Sequence, residues 1–117
     1  MADEEDVRRV ALSLPDVTER SVYRTPGYWV RKKSFLRIRS EAEGGLVVFV
    51  EDLGEKEALL ASSDAFFTTP HYDGYAAVLV HLDRVDAGEL RELITDSWRL
   101  KAPVRLRRAF EAGEATG

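Results

Sequence analysis

The sequence predicts an α+β domain in which an antiparallel β-sheet is flanked by helices on one face, in the order α-β-β-β-α-β-α. Three observations predict this class: helical periodicity at both ends of the chain, strand-like runs in the middle, and no strand–helix–strand alternation of the kind that builds a parallel sheet. The 117 residues are 44% hydrophobic and 32% charged, which suits one soluble domain with one core. We therefore expect a single domain over residues 1–110 and a frayed C-terminal tail over residues 111–117.

The first predicted helix spans roughly residues 4–14. Its apolar side chains recur at the spacing of one helical face, at Val7, Val10, Ala11 and Leu14. Asp3 can cap the helix, acidic residues fill its first turn, and Pro15 ends the pattern.

Three β-rich runs follow, at Tyr28–Arg31, Phe35–Ser40 and Leu46–Glu51. They are separated by Lys32–Ser34 and by Glu41–Gly45, two short polar stretches that indicate turns. We expect these runs to form adjacent antiparallel strands.

The second half begins with a short helix at Glu55–Ser62, where Ala58 and Leu59 are the expected buried residues, and continues to a last strand at Tyr75–Leu82. The final long helix is the clearest element, because Asp86 and Glu89 stand in the relation of a capping box.

The long helix carries one apolar stripe, formed by Leu90, Leu93, Ile94, Ser97 and Trp98, and runs to about Lys101. Pro103 disfavours helix at the residue before it, so the chain is expected to bend there. A short basic segment containing Val104, Leu106 and Phe110 follows.

Positive charge is concentrated in two short blocks. Residues 20–40 carry seven Arg and Lys with no acid, and residues 97–108 carry five with no acid. The rest of the chain carries five bases against twenty-one acids, and the net charge is -4. Because clustered cations create a local field that the net charge conceals, this segregation indicates a face that binds a polyanion.

The faces of the first hairpin depend on the length of its loop. If Lys32–Ser34 is a three-residue loop, Arg31 pairs with Phe35 across the hairpin. One face then holds Tyr28, Val30, Leu36 and Ile38, and the other holds Trp29, Arg31, Phe35, Arg37 and Arg39. Arginine binds phosphate and aromatic rings stack on bases, so the second face suits nucleic acid. A two-residue loop would mix the two sets and weaken this interpretation.

The alternative for this hairpin is structural: Trp29 and Phe35 would belong to the core, and the arginines would pair with nearby acids. The second block has a structural explanation as well, because cations at a helix C-terminus stabilise the macrodipole. That explanation applies to Arg99 and Lys101, which lie in the last turn of the predicted helix. Arg105, Arg107 and Arg108 lie beyond the bend, where a solvated helix face is the competing interpretation.

Signs of catalysis are weak. Cysteine is absent, which excludes disulfides and thiolate chemistry. The two histidines, His71 and His81, show no metal-ligand spacing, and His71–Asp73 suits a hydrogen-bonded turn better than an acid–base site. We predict no catalytic residues, no metal, no cofactor and no small-molecule substrate. No apolar run is long enough to span a membrane, so we expect a cytoplasmic protein. Because the signs of catalysis are weak, we also expect that it is not an enzyme.

Four motifs in order resemble those of the MmcQ/YjbR family of small bacterial domains. They are Ala11–Pro15 with Val17 and Glu19; Asp64–Phe67 with Pro70–Tyr72 and Gly74; Val78–Val80 with Leu82; and Glu89, Leu90, Leu93, Ile94, Ser97, Trp98, Ala102, Pro103, Arg105 and Leu106. The resemblance implies an α+β domain similar to the frataxin-like and secretion-chaperone-like arrangements. The family is labelled DNA-binding from a proposed double-wing shape, and it brings no agreed catalytic set.

We predict a non-enzymatic domain that binds DNA or another polyanion. The candidate binding residues lie in the two basic blocks and are Trp29, Arg31, Lys32, Lys33, Arg37, Arg39, Arg99, Lys101, Arg105, Arg107 and Arg108. The alternative is a protein- or peptide-interaction module or a homodimer, with Trp29 and Phe35 as its apolar interface and the arginines as its rim. An enzyme built around His71 and Tyr72 is the least supported hypothesis. The sequence leaves open whether the two blocks meet in space.

Overall fold

A computed structural model describes residues 2–22, 25–39 and 45–113 of the chain. The helices are α1 (Glu4–Ser13), α2 (Leu53–Ser62), α3 (Ala87–Lys101) and α4 (Val104–Glu111). The strands are β1 (Val17–Val22), β2 (Thr25–Val30), β3 (Lys33–Ile38), β4 (Leu46–Phe49), β5 (Phe66–Phe67) and β6 (Ala77–Val80), and a short 3-10 turn at Leu82–Arg84 leads into α3.

The strands form one six-stranded sheet in the order β1-β2-β3-β4-β6-β5, and every neighbouring pair is antiparallel. Helices α1 and α3 pack against the sheet and against each other. The predicted α+β class and the antiparallel sheet are therefore confirmed. The structure adds β1 and β5 at the two edges, and it shows that the basic segment after the bend is a helix of its own, α4.

Helix starts follow the predicted capping chemistry. The Asp3 carboxylate accepts a hydrogen bond from the Asp6 N–H at 2.9 Å, and the Asp6 carboxylate accepts one from the Asp3 N–H at 3.0 Å. The Asp86 carboxylate caps α3 by accepting from the Glu89 N–H at 2.8 Å. Helix α2 begins at Leu53, two residues before the predicted start, because Asp52 caps it.

The main core lies between the sheet and the helices. Its largest fully buried side chains include Trp98 and Ile94 from α3 and Tyr28, Phe35 and Leu36 from the first hairpin. The indole N–H of Trp98 donates to the Pro15 carbonyl at 3.1 Å, so even the polar atom of this side chain is paired. This bond joins α3 to the turn between α1 and β1.

The buried residue of α2 differs from the prediction. Ala58 is exposed and Leu59 is half-buried, whereas Lys56 is only 5% exposed. The Lys56 ammonium donates to the backbone carbonyls of Tyr72 and Tyr75, at 2.6 Å and 3.0 Å. A charged side chain is buried here because the loop before β6 offers it two carbonyl acceptors.

The first hairpin has a two-residue loop, Arg31–Lys32, which is one of the two loop lengths that the sequence left open, and Arg31 does not pair with Phe35. Val30 pairs with Lys33, and Trp29 pairs with Ser34. The register then shifts, and Tyr28 pairs with Leu36, which leaves Phe35 as the extra residue of a β-bulge.

The bulge explains why Phe35 is fully buried rather than aligned with the arginines. Beyond it, alternation resumes: Leu36 and Ile38 enter the core, while Arg37 and Arg39 occupy the opposite face. Tyr28, Val30, Leu36 and Ile38, which the three-residue loop would place together on one face, are all buried.

Two sequence-based predictions fall wholly or partly outside the described residues. Of the predicted loop Glu41–Gly45, only Gly45 is described, and its φ of +89° with Phe67 close by suits glycine. Of the predicted frayed tail, residues 114–117 are not described, and Glu111 belongs to α4.

Candidate nucleic-acid interface

A groove lies between the tip of the β2–β3 hairpin and the junction of α3 with α4. Its volume is about 550 Å³, and it is lined by Val30, Arg31, Lys32, Lys33, Lys101 and Pro103. We call it the hairpin groove. It contains residues of both basic blocks, three from the first and Lys101 from the second, so the two blocks meet at this place.

The hairpin tip is held in position by Asp16, in the turn between α1 and β1. Arg31 donates to Asp16 twice: its backbone N–H to the Asp16 carbonyl at 3.3 Å, and its Nε to the carboxylate at 2.7 Å. Both residues have a φ of +57°, a left-handed conformation that is uncommon outside glycine. These paired contacts hold the unusual turn against the body of the domain.

The position of Lys101 follows from the packing of α3 against the sheet. The Ser97 hydroxyl, one turn earlier, donates to the Phe35 carbonyl at 2.6 Å and accepts from the Phe49 N–H at 3.0 Å. It thereby joins β3 and β4 where their regular pairing ends at the bulge. The Lys101 ammonium lies 4.3 Å from the centre of the Phe49 ring, a cation–π distance.

The charge of the hairpin groove is largely uncompensated. Within residues 2–22, 25–39 and 45–113, Lys32, Lys33 and Lys101 form no ion pair, and the first two are exposed. Arg31 is the member of the set with a carboxylate partner, Asp16. The groove thus combines the exposed Pro103 with a cationic rim suited to phosphate.

Three other predicted site residues, Trp29, Arg37 and Arg39, lie on the sheet face that points away from α1 and α3. All three are half-buried. The Arg20 guanidinium lies 5.5 Å from the centre of the Trp29 ring, and Arg37 donates to the Tyr72 hydroxyl at 3.3 Å. These residues do not line the hairpin groove, so the predicted site is divided between two surfaces.

The second block is divided too. Arg99 pairs with Asp96 at 3.1 Å, and Arg107 with Glu111 at 3.5 Å. Both arginines line a separate cavity of about 470 Å³, together with Glu51, Glu55, Asp96, Leu100 and Glu111. Four carboxylates around two guanidinium groups make this cavity a poor receptor for an anion, so Arg99 and Arg107 match the structural interpretation better than the binding one.

Arg105 and Arg108 remain exposed on α4, three residues apart and therefore on neighbouring positions of one helical surface. Among the described residues neither forms an ion pair. Arg105 follows Pro103 of the groove by two residues, so α4 begins at the groove and carries further positive charge away from it.

Sequence reasoning missed Asp16 and Ser97, the two polar residues that position the groove. Ser97 stood on the predicted apolar stripe of α3, and a hydroxyl at a core position is itself a signal, since it needs a partner when buried. Asp16 gave a weaker signal, because an acid after proline is common in ordinary turns.

Each histidine contacts an aromatic ring. The His71 ring meets Tyr72 edge-on at 4.8 Å, and His81 stacks on Phe67 at 4.2 Å. No cluster of three or more His, Asp or Glu side chains suited to a metal ion occurs in the described part of the chain. In that same part, no helix has the length and apolar character needed to cross a membrane.

Comparisons with known proteins give one family and relatives that carry no functional name. A family model described as YjbR matches residues 12–100. The chain is 39% identical to the uncharacterized protein Mb2600 of Mycobacterium bovis and to the uncharacterized protein Rv2570 of Mycobacterium tuberculosis, in each case over 96% of this chain and 98% of the relative. No solved structure gives a significant match.

Proposed function

The chain belongs to the YjbR family, and from that premise we propose that it is a non-enzymatic domain that binds the phosphate backbone of duplex DNA through the hairpin groove. Lys32, Lys33 and Lys101 are the principal contacts. Arg105 and Arg108 extend the basic surface along α4 and add weaker contacts. We assign these contacts to phosphates, which carry no base information, so affinity is expected to be similar for duplexes of different sequence.

The observation that carries this proposal is the convergence of the two basic blocks. Lys101 lies more than sixty residues after the hairpin tip in a chain of net charge -4, and yet it lines the same groove as Lys32 and Lys33. Burial of the Ser97 hydroxyl and pairing of Arg31 with Asp16 hold the two parts in fixed relation. A preformed cluster of uncompensated cations binds phosphate without a large ordering cost.

The experiment is a salt titration of affinity for a labelled duplex, followed by fluorescence anisotropy. The three lysine–phosphate contacts by themselves predict that the logarithm of the association constant falls with the logarithm of salt concentration with a slope of about -2.7, and the weaker contacts of Arg105 and Arg108 make the slope somewhat steeper. Lys32→Glu, Lys33→Glu and Lys101→Glu should each weaken binding and each reduce the steepness of this slope by about 0.9.

Arg91→Glu is the matched control. Arg91 is exposed near the start of α3, lies outside both basic blocks, and forms no ion pair among the described residues. This substitution changes the net charge by the same amount as each lysine reversal, so it separates the groove from the overall charge. Equal effects of Arg91→Glu and Lys32→Glu, or no binding of the native protein at low salt, would contradict the proposal.

The alternative of a protein-interaction module or homodimer loses part of its basis. Its apolar interface included Phe35, which is fully buried and cannot contact a partner. Self-association itself stays a prediction, and sedimentation at micromolar concentration measures it directly. A tight dimer that Lys32→Glu disrupts, together with no affinity for DNA, would favour this alternative.

A further inference from the structure

The sheet face that points away from α1 and α3 falls into two halves of different character. On the half formed by β4, β5 and β6, Val47, Ala77 and Leu79 are buried, and Phe49, Phe67 and Tyr72 pack against them. The half formed by β1, β2 and β3 carries arginine, tryptophan and hydroxyl side chains instead. We call this second half the arginine–tryptophan face.

The strand register defines the layout of this face. Thr18, Trp29 and Ser34 stand opposite one another in one row across β1, β2 and β3. Arg20, Gly27 and Arg37 form the next row. Trp29 therefore has small neighbours in its own row. In the adjacent row, Arg20 on β1 and Arg37 on β3 stand about 10 Å apart, because two strand spacings separate them.

The side-chain contacts give the face its chemistry. Trp29 is half-buried and Arg20 is exposed, with the Arg20 guanidinium 5.5 Å from the centre of the Trp29 ring. Arg37, on β3, donates a hydrogen bond to the Tyr72 hydroxyl at 3.3 Å, which fixes the end of the arginine side chain. The Arg20 guanidinium lies over the Trp29 ring, and because Arg20 is exposed it can turn outward to a phosphate and leave the ring free to stack on a base.

We propose that the arginine–tryptophan face binds single-stranded nucleic acid, with a base stacked on Trp29 and the adjoining phosphates held by Arg20 and Arg37. A duplex is excluded as the occupant, because its bases are stacked inside the helix and present no free plane to Trp29. This surface is separate from the hairpin groove, and its binding does not depend on the duplex contacts assigned to the groove lysines.

Tryptophan fluorescence provides a direct test. The chain has two tryptophans, and Trp98 is fully buried in the core, so a change caused by a ligand at the surface reports Trp29. An oligothymidylate should quench this emission at low salt. Inorganic polyphosphate supplies the same charge without bases, and it should leave the emission nearly unchanged because nothing stacks on the ring.

Two variants locate the site. Trp29→Leu should weaken binding of the oligothymidylate about tenfold, as loss of one stacked base does. Arg20→Gln should weaken it less and make it less sensitive to salt. Arg20 is exposed, so this variant tests the proposal even if Trp29→Leu fails to fold. Arg91→Glu is the control and should bind nearly as the native protein does.

Three results would overturn the proposal: no quenching by the oligothymidylate, equal quenching by polyphosphate, or weakening by Lys32→Glu with none by Arg20→Gln. The last result would assign single strands to the hairpin groove instead. Failure of duplex binding to respond to Lys32→Glu bears on the groove alone, so the two proposals fail separately.

Discussion

Ser97→Ala is predicted to destabilise the domain far more than the removal of one oxygen atom suggests. Ser97 is fully buried, and its hydroxyl satisfies two backbone groups from different strands, the Phe35 carbonyl at 2.6 Å and the Phe49 N–H at 3.0 Å. Alanine fits the same space and leaves both groups without a partner. The strands cannot pair with each other there, because regular pairing of β3 with β4 begins at Leu36.

An unsatisfied buried donor or acceptor costs about 1–3 kcal/mol. Two such groups, one of them only partly buried, give an expected loss of about 2–4 kcal/mol in the free energy of unfolding. That is a large share of the roughly 5–15 kcal/mol typical of a domain. Because Ser97 also positions the last turn of α3, affinity for duplex DNA should fall as the site of Lys101 loosens.

Urea unfolding followed by circular dichroism measures the effect, with an unchanged denaturant slope as the sign that the native state stays compact. Ser62→Ala is the matched control, since its hydroxyl is exposed and bonds to the Leu59 carbonyl of its own helix at 2.7 Å. It should change stability by less than about 0.5 kcal/mol. A similar small loss for Ser97→Ala would refute the bridging role.

Three further predictions concern other parts of the molecule. Lys56→Met should lower the free energy of unfolding by about 1–3 kcal/mol, because the Tyr72 and Tyr75 carbonyls lose their buried donor while the apolar part of the side chain is kept. Equal urea midpoints for the variant and the native protein would contradict this. Burial, together with the nearby Glu19 charge, raises the pKa of Tyr28 to about 12. The unfolded state therefore loses this proton first, and the free energy of unfolding should fall between about pH 10 and pH 12 by up to roughly 3 kcal/mol. In Tyr28→Phe the fall should be smaller by that amount, and a pH profile identical to that of the native protein would rule out this cause. Asparagine at position 16 can adopt the same left-handed backbone, but Asp16→Asn removes the carboxylate that pairs with Arg31. Arg31 is then available to a phosphate, so duplex affinity should rise and the salt slope expected from the lysines should steepen towards about -3.6. Weaker binding would show that the hairpin tip must be held by this ion pair.

The fold was predictable where local chemistry decides it. Asp3 and Asp86 mark the starts of α1 and α3, and a proline follows the end of each of these helices closely, because capping and the missing proline N–H act over a few residues. The placement of Tyr28 and Val30 on the same face of β2 followed from alternation alone.

The rest depended on contacts between distant residues. At the bulge, the Phe35 carbonyl accepts a hydrogen bond from the Ser97 hydroxyl of α3, a contact that no local signal in the hairpin predicts. Lys56 is buried by carbonyls from a loop sixteen or more residues away, whereas the sequence predicted Ala58 and Leu59 as the buried residues of this helix. Charge segregation identified the cations of the groove, but the same pattern also included Arg99 and Arg107. Their partners Asp96 and Glu111 stand three and four residues away in the same helices, a spacing that the sequence already shows.

A titration of the isotope-labelled protein with duplex DNA, followed by amide NMR, tests the central claim most directly. We expect the largest shifts at Val30–Lys33 and at Lys101, Ala102 and Val104, the two segments that form the hairpin groove, and we expect these shifts to disappear as salt is raised. Shifts confined to other parts of the chain, or none at low salt, would contradict it.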